Sequence, residues 1–165
     1  MTMKALGRLF DLSCGVAPVD LAGGAQTGKV VSLVNAGGVT VVFFKEAGAA
    51  AEPVVLTVRE SQDAAGTGIQ DLDVVTEYYL KSEATLDGDE VWTKVTQTAG
   101  DITPAASDTQ QILAFHIDAS DLSDGFTHVQ VNTADVLTAG QLGGILYILH
   151  DLKVERAPES LAAPQ

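Results

Sequence analysis

The sequence predicts an all-β fold: a single-domain antiparallel β-sandwich with an extended N-terminal arm and a flexible C-terminal tail. Short segments alternate apolar and polar residues with a period of two, as half-buried strands do. Turn-forming residues separate these segments at intervals of roughly 8 to 12 residues, which is typical of sandwiches and barrels. We therefore divide the chain into an arm and loop over 1–29, a β-sandwich over 30–153 and a tail over 154–165.

Size and cysteine content limit the classes of protein to which the chain can belong. A chain of 165 residues can bury a core without disulfides, and its single cysteine, Cys14, excludes an internal disulfide and fits a reducing compartment. The first residues lack the apolar segment of a signal peptide, and no apolar run approaches the roughly 20 residues of a membrane span. We expect a soluble protein made in the cytoplasm, with no membrane partner.

Charge is unevenly distributed along the chain. The net charge is -13, but Met1 to Lys45 holds four basic and two acidic residues, whereas the remaining residues hold five basic and twenty acidic ones. An acidic surface repels phosphate and offers no stripe of lysine and arginine, so we expect no nucleic-acid partner. The same charge keeps the protein soluble at high local concentration.

The N-terminal region, 1–29, mixes short apolar runs with glycine, proline and alanine. Phe10, Leu12 and Val16 fit an extended strand, which docks on a neighbouring subunit or frays as an ordinary terminus. The segment GGAQTGK ends this region and fits the start of the phosphate-binding GxxxxGK pattern. The next residue is Val30, where magnesium binding requires serine or threonine, and a β-branched run follows instead of a helix. We interpret the segment as a flexible loop.

The middle of the chain supplies several strands and one hairpin. The runs VVSLV, VTVVFFK and PVVLTVRE are each bounded by turn-forming residues. Further on, an Asp-Gly pair at Asp87 between two β-rich segments predicts a hairpin. A strict two-residue turn there would place Lys81 opposite Lys94, an unfavourable pair of like charges, so a longer loop or a shifted register is expected. Trp92 in this hairpin either contacts a partner or packs on its own sheet.

Three strands close the pattern, over 112–118, 127–132 and 145–149. The first two alternate, with Leu113, Phe115 and Ile117 on one face of the first. The third is apolar on both sides, so both of its faces must be covered. It is predicted to be a central strand or a subunit contact, and Tyr147 on it is a candidate interface residue.

Several side chains could in principle carry chemistry. Three aspartates lie three residues apart in a turn, and three histidines lie on the last three strands; these are Asp118, Asp121, Asp124, His116, His128 and His150. Neither spacing matches a metal-binding motif, and turn capping and positions on a sheet face explain them more simply. Ser13 and Cys14 lack the motif of an activated nucleophile. We expect no enzyme activity, no metal and no cofactor.

The segments GFTHVQVNTADV, AGQLGGILYILHD, PVVLTVRESQDAAGTG and VVSLVNAGGVTVVFF together resemble head decoration, or cement, proteins of tailed phages, over roughly residues 10 to 153. The resemblance implies a β-sandwich, jelly-roll-like in form, that binds the outer surface of the capsid and stabilises it. It implies the major capsid protein as partner, a homotrimer, and location on the virion after synthesis in a bacterial host.

Within that expectation, the basic N-terminal residues Lys4 and Arg8, with Phe10 and Leu12, are predicted to face the capsid or a neighbouring subunit, while the acidic remainder faces solvent. A tail or head-completion protein of the virion is the first alternative. A carbohydrate-binding sandwich is the second, and it would need an exposed aromatic platform, for which Trp92 with Tyr79 is the candidate pair.

Overall fold

The computed structural model describes residues 5–105, 108–138 and 140–164, which form ten β-strands and three short 3-10 turns, with no α-helix among them. The strands are β1 Phe10–Asp20, β2 Val31–Ser32, β3 Gly38–Lys45, β4 Leu56–Ser61, β5 Gln70–Asp71, β6 Glu77–Glu83, β7 Thr93–Thr96, β8 Gln110–Asp118, β9 His128–Thr133 and β10 Leu142–His150. In this described part of the chain, no helix is long and apolar enough to cross a membrane.

The strands form two antiparallel sheets that pack as a sandwich. The large sheet has the order β1-β10-β3-β8-β6-β7, and the small sheet has the order β2-β9-β4-β5. The four strands β1-β10-β3-β8 over the four strands β2-β9-β4-β5 have the order of a jelly roll, a double-sheet fold of eight strands. The β6-β7 hairpin extends the large sheet beyond this unit. The predicted all-β, single-domain sandwich is confirmed.

The core lies between the two sheets because each strand turns one set of alternate side chains inward. On β3, Val39, Val41 and Phe43 are completely buried. Their partners in the register on β8 are the inward residues that the alternation predicted, namely Ile117, Phe115 and Leu113. One continuous cluster of buried apolar residues spans both sheets, which is what a single domain requires.

Tyr147 on β10 joins the sheets through its hydroxyl group. The backbone N–H of Val131 on β9 donates to this oxygen over 2.9 Å, and the hydroxyl donates to the carbonyl of Lys29 over 3.1 Å. Tyr147 is completely buried, and burial raises the pKa of its phenol. The prediction of Tyr147 as an interface residue therefore needs correction, since its side chain belongs to the core of its own domain.

The predicted boundary at residue 29 also needs correction, because β1 is part of the sandwich. This strand pairs with β10 from Phe10 opposite His150 to Asp20 opposite Leu142. A register shift after Cys14 turns Val16 inward, whereas Leu12 and Cys14 before the shift point outward. The strand that Phe10, Leu12 and Val16 predicted is thus present, and it forms the edge of the large sheet.

The C-terminal segment returns to the body of the domain. The N–H of Arg156 donates to the carbonyl of Gly7 over 2.9 Å, and the N–H of Ser32 donates to the carbonyl of Pro164 over 3.0 Å. The predicted tail is therefore held by backbone hydrogen bonds near both of its ends.

The β6-β7 hairpin has a shifted register, as expected from the unfavourable pairing of Lys81 with Lys94. Tyr79, and not Lys81, lies opposite Lys94, and the connecting loop is longer than two residues. Lys94 instead forms an ion pair with Glu77 over 2.5 Å. The like-charge pair is thereby avoided.

Candidate interaction surface

The large sheet has an outward side that is unusually apolar. In a sandwich, the side chains that point away from the core normally meet water and are polar. Here five consecutive strands of the large sheet present a set of apolar outward residues, which we call the outer apolar face: Leu12, Cys14, Leu146, Ile148, Val42, Phe44, Ile112, Ala114 and Tyr79.

The strand register makes this face continuous. Directly opposed residues on neighbouring strands have Cβ atoms roughly 4.5 to 5.5 Å apart, so each outward residue contacts the next. One complete cross-strand row runs from β1 to β6 and consists of Cys14, Leu146, Val42, Ala114 and Tyr79. A second row lies beside it and begins with Leu12, Ile148 and Thr40.

Several of these side chains are open to solvent. Leu12 is 42% exposed, Phe44 is 38% exposed and Tyr79 is 41% exposed. The other large residues of the face are half-buried by their neighbours. Charged groups border the face, with Lys81 and Lys94 on the hairpin side. A contiguous apolar patch with a polar margin is typical of a surface that binds another macromolecule.

The predicted N-terminal interface residues lie at one edge of this face. Phe10 and Leu12 point outward on β1, and Arg8 is exposed immediately before this strand. Lys4 lies outside the described residues. The structure therefore places Arg8, Phe10 and Leu12 at the β1 edge of the outer apolar face.

Trp92 lies at the opposite edge, in the hairpin. Its ring is 48% exposed, and the Lys81 Nζ atom lies 5.1 Å from the ring centroid, within range of a cation-π interaction. Tyr79, the other residue of a possible glycan platform, lies on the outward side of β6. Lys81 thus covers part of the Trp92 ring that a sugar would otherwise use.

Sequence reasoning found the two ends of the face and missed its centre. The run VTVVFFK contains the same signal as the last strand, since Val42 and Phe44 alternate with the buried Val41 and Phe43. A strand that is apolar on both sides must be covered on both sides. That rule, applied to β3 as well as β10, would have identified the centre of the face.

The loop that resembles a phosphate-binding motif has a packing role. The N–H of Gly28 donates to Asn132 Oδ1 over 3.0 Å, and its carbonyl accepts from Gln130 Nε2 over 2.6 Å. A Cβ atom on Gly28 would overlap the carbonyl oxygen of Val131. Glycine is therefore needed for close approach to β9, and no helix N-terminus follows it.

The three histidines do not meet as one group. His128 is buried on β9, in the small sheet, where its Nδ1 atom lies 2.8 Å from Thr127 Oγ1. His116 on β8 and His150 on β10 lie together on the large sheet, where their rings stack with centroids 4.6 Å apart and planes 25° apart. In the aspartate turn, Asp121 accepts a hydrogen bond from the N–H of Asp118, as the capping interpretation predicts.

One further carboxylate group, Asp87, Asp89 and Glu90, lies in the hairpin loop. Glu90 accepts a hydrogen bond from the N–H of Gly88 over 2.9 Å, and this contact lowers the pKa of its carboxyl group. Its other neighbour is Lys81, whose Nζ atom lies 3.9 Å away. These contacts hold the Glu90 side chain within the loop.

Together these features define a jelly-roll sandwich with an apolar outer face on its large sheet. No protein-family model matches the chain, and neither the curated proteins nor the solved structures contain a match to it.

Proposed function

We propose that this protein is a structural component of a tailed-phage virion that binds the outer surface of the capsid and stabilises the shell, as head decoration proteins do. The outer apolar face is the observation that carries the proposal. It covers five strands of a sheet whose other side is already buried in the core. A broad apolar surface of this kind is typical of a surface that contacts another macromolecule.

The charge distribution supports an orientation in which the outer apolar face contacts the capsid. The residues beyond Lys45 carry a net charge of -15, whereas the first 45 residues carry +2 and include β1 at one edge of the face. With the face and β1 against the capsid, the acidic loops point to solvent and keep the particles soluble. Assembly as a trimer with the major capsid protein as partner then gives avidity, since three weak contacts act together.

The experiment is sedimentation of the purified protein with expanded, undecorated capsids, followed by cryo-EM of the pellet. We expect saturable binding on the outer lattice, with density for the large sheet on the shell side. A Leu12→Ser and Phe44→Ser double variant should bind at least about tenfold more weakly, because it removes two exposed apolar side chains of the face. Val91→Ser is the matched control, since Val91 is 79% exposed and lies in the hairpin loop outside the face.

The N-terminal contribution is tested separately by Arg8→Ala, which leaves β1 and the hydrogen bond between Arg156 and Gly7 intact. Weaker capsid binding with an unchanged fold would support a role for Arg8. Wild-type protein that fails to bind capsids, or that occurs in isolated tails, would overturn the proposal and favour a tail or head-completion protein. Binding to immobilised glycans, lost on Trp92→Ala, would favour the carbohydrate-binding alternative.

A further inference from the structure

His116 and His150 meet across a strand that carries no side chain between them. They lie on β8 and β10, which flank β3, and Gly38 of β3 is paired with His150 on one side and with Asp118 on the other. A Cβ atom on Gly38 would lie 2.9 Å from His150 Cε1 and 3.1 Å from His116 Cε1. Because Gly38 leaves this space open, His150 Nε2 approaches His116 Nδ1 to 3.1 Å.

The other nitrogen of each ring faces a carboxylate. Asp118 Oδ1 lies 3.0 Å from His116 Nε2, and Asp151 Oδ2 lies 2.8 Å from His150 Nδ1. An ionised carboxylate only accepts hydrogen bonds, so these two nitrogens carry the ring protons. In neutral rings, the two nitrogens that approach each other therefore both carry a lone pair, in ring planes that are 25° apart. Such a contact is repulsive unless a proton or a metal cation lies between them.

The distance fits a shared metal ion. Two nitrogens that each bind Zn²⁺ at about 2.0 to 2.1 Å with a tetrahedral angle are about 3.3 Å apart. The carboxylates occupy the positions that second-shell groups take behind metal-binding histidines, where they fix the tautomer and raise the basicity of the ligand. Imidazole nitrogen suits zinc, copper and nickel better than it suits magnesium or calcium.

We propose that His116 Nδ1 and His150 Nε2 bind one divalent transition-metal ion, of which Zn²⁺ is the probe of choice, with Asp118 and Asp151 as positioning residues. The side chains of His116 and His150 are 45% and 23% exposed, so solvent can reach the site and water can fill the remaining coordination positions. The inference is independent of the proposed capsid role, since it rests on these four side chains and Gly38.

The test is calorimetric titration of the full-length, untagged protein with Zn²⁺ at neutral pH. All proteins carry Cys14→Ser, because the exposed thiol of Cys14 could bind zinc by itself. We expect one saturable site per chain. His116→Gln and His150→Gln should each weaken binding at least about tenfold, and Asp151→Asn should weaken it by about tenfold, as second-shell changes do. Asp87→Asn, in the separate hairpin carboxylate group, is the control and should bind as the parent does.

Nitrogen-detected NMR of the imidazole rings supplies a readout that a loss of folding cannot imitate. Zinc should shift His116 Nδ1 and His150 Nε2 in the parent protein and leave both nitrogens of His128 unchanged. The proposal is overturned if the titration shows no saturable uptake of zinc. It is equally overturned if uptake survives in both histidine variants, or if zinc shifts the opposite nitrogen of each ring.

Discussion

At the scale of single residues, the hydroxyl group of Tyr147 links the two sheets through its hydrogen bond with the N–H of Val131. Tyr147→Phe removes its hydroxyl and leaves the N–H of Val131 and the carbonyl of Lys29 without this partner in the interior. We expect the free energy of unfolding in urea to fall by about 1 to 3 kcal/mol, the usual cost of a buried unpaired polar group. Tyr79→Phe, at an exposed tyrosine, should change it by less than about 0.5 kcal/mol. Equal effects of the two substitutions would contradict this role for Tyr147.

The same residue predicts a dependence of stability on alkaline pH. Burial raises the pKa of Tyr147 in the folded protein, whereas the unfolded chain ionises near its ordinary value of about 10. The stabilising contribution of Tyr147 is therefore complete below pH of about 10 and is lost as the pH rises beyond it. Urea unfolding of wild type and Tyr147→Phe should show a stability difference that is constant near neutrality and shrinks above that pH. A difference that grows with pH would contradict the sign.

Among the strands, β7 and β10 differ most in how they are held. β7 has four residues, pairs on one side with β6, and is largely exposed, whereas β10 pairs on both sides and carries buried residues along its length. Local opening costs less free energy where fewer contacts are lost. We expect amide hydrogens of β7 to exchange much faster than those of β10 by mass spectrometry. Comparable protection in both strands would show that the hairpin is integral to the cooperative unit.

The elements were predictable from sequence to different degrees. The strands near β3, β8 and β10 follow from alternation and apolar runs, because burial of one or both sheet faces imposes those patterns. The sequence predicts an arm where β1 lies, because glycine and proline interrupt the alternation between Cys14 and Val19, where the structure has two register shifts. Cys14 and Val16 are two positions apart and would share one side of a regular strand, but the shift places them on opposite sides of the sheet.

At the scale of the whole molecule, the fold class was predictable and the outer apolar face was only partly so. Alternation shows which residues share a side of one strand, but it does not show which strands are neighbours. The face exists because β1, β10, β3 and β8 are adjacent, although they are far apart in sequence. The meeting of His116 and His150 has the same origin, since it depends on both strands flanking Gly38 of β3.

The combination of a strongly acidic surface with one apolar face predicts how salt affects self-association. Copies with a net charge of -13 repel each other, and salt shortens the range of that repulsion from about 10 Å at 0.1 M to about 3 Å at 1 M. Burial of apolar surface is not weakened by this screening. In sedimentation velocity, the average mass of the wild-type protein should therefore rise toward that of a trimer as sodium chloride increases.

The double variant Leu12→Ser and Phe44→Ser should remain monomeric at every salt concentration, since it retains the charge and loses apolar contacts of the face. Val91→Ser should behave as the wild type does. A mass that falls with salt would indicate association through ion pairs, and a mass that rises equally in the double variant would place the contact elsewhere on the molecule. Either result would separate self-association from the outer apolar face and leave that face to the capsid alone.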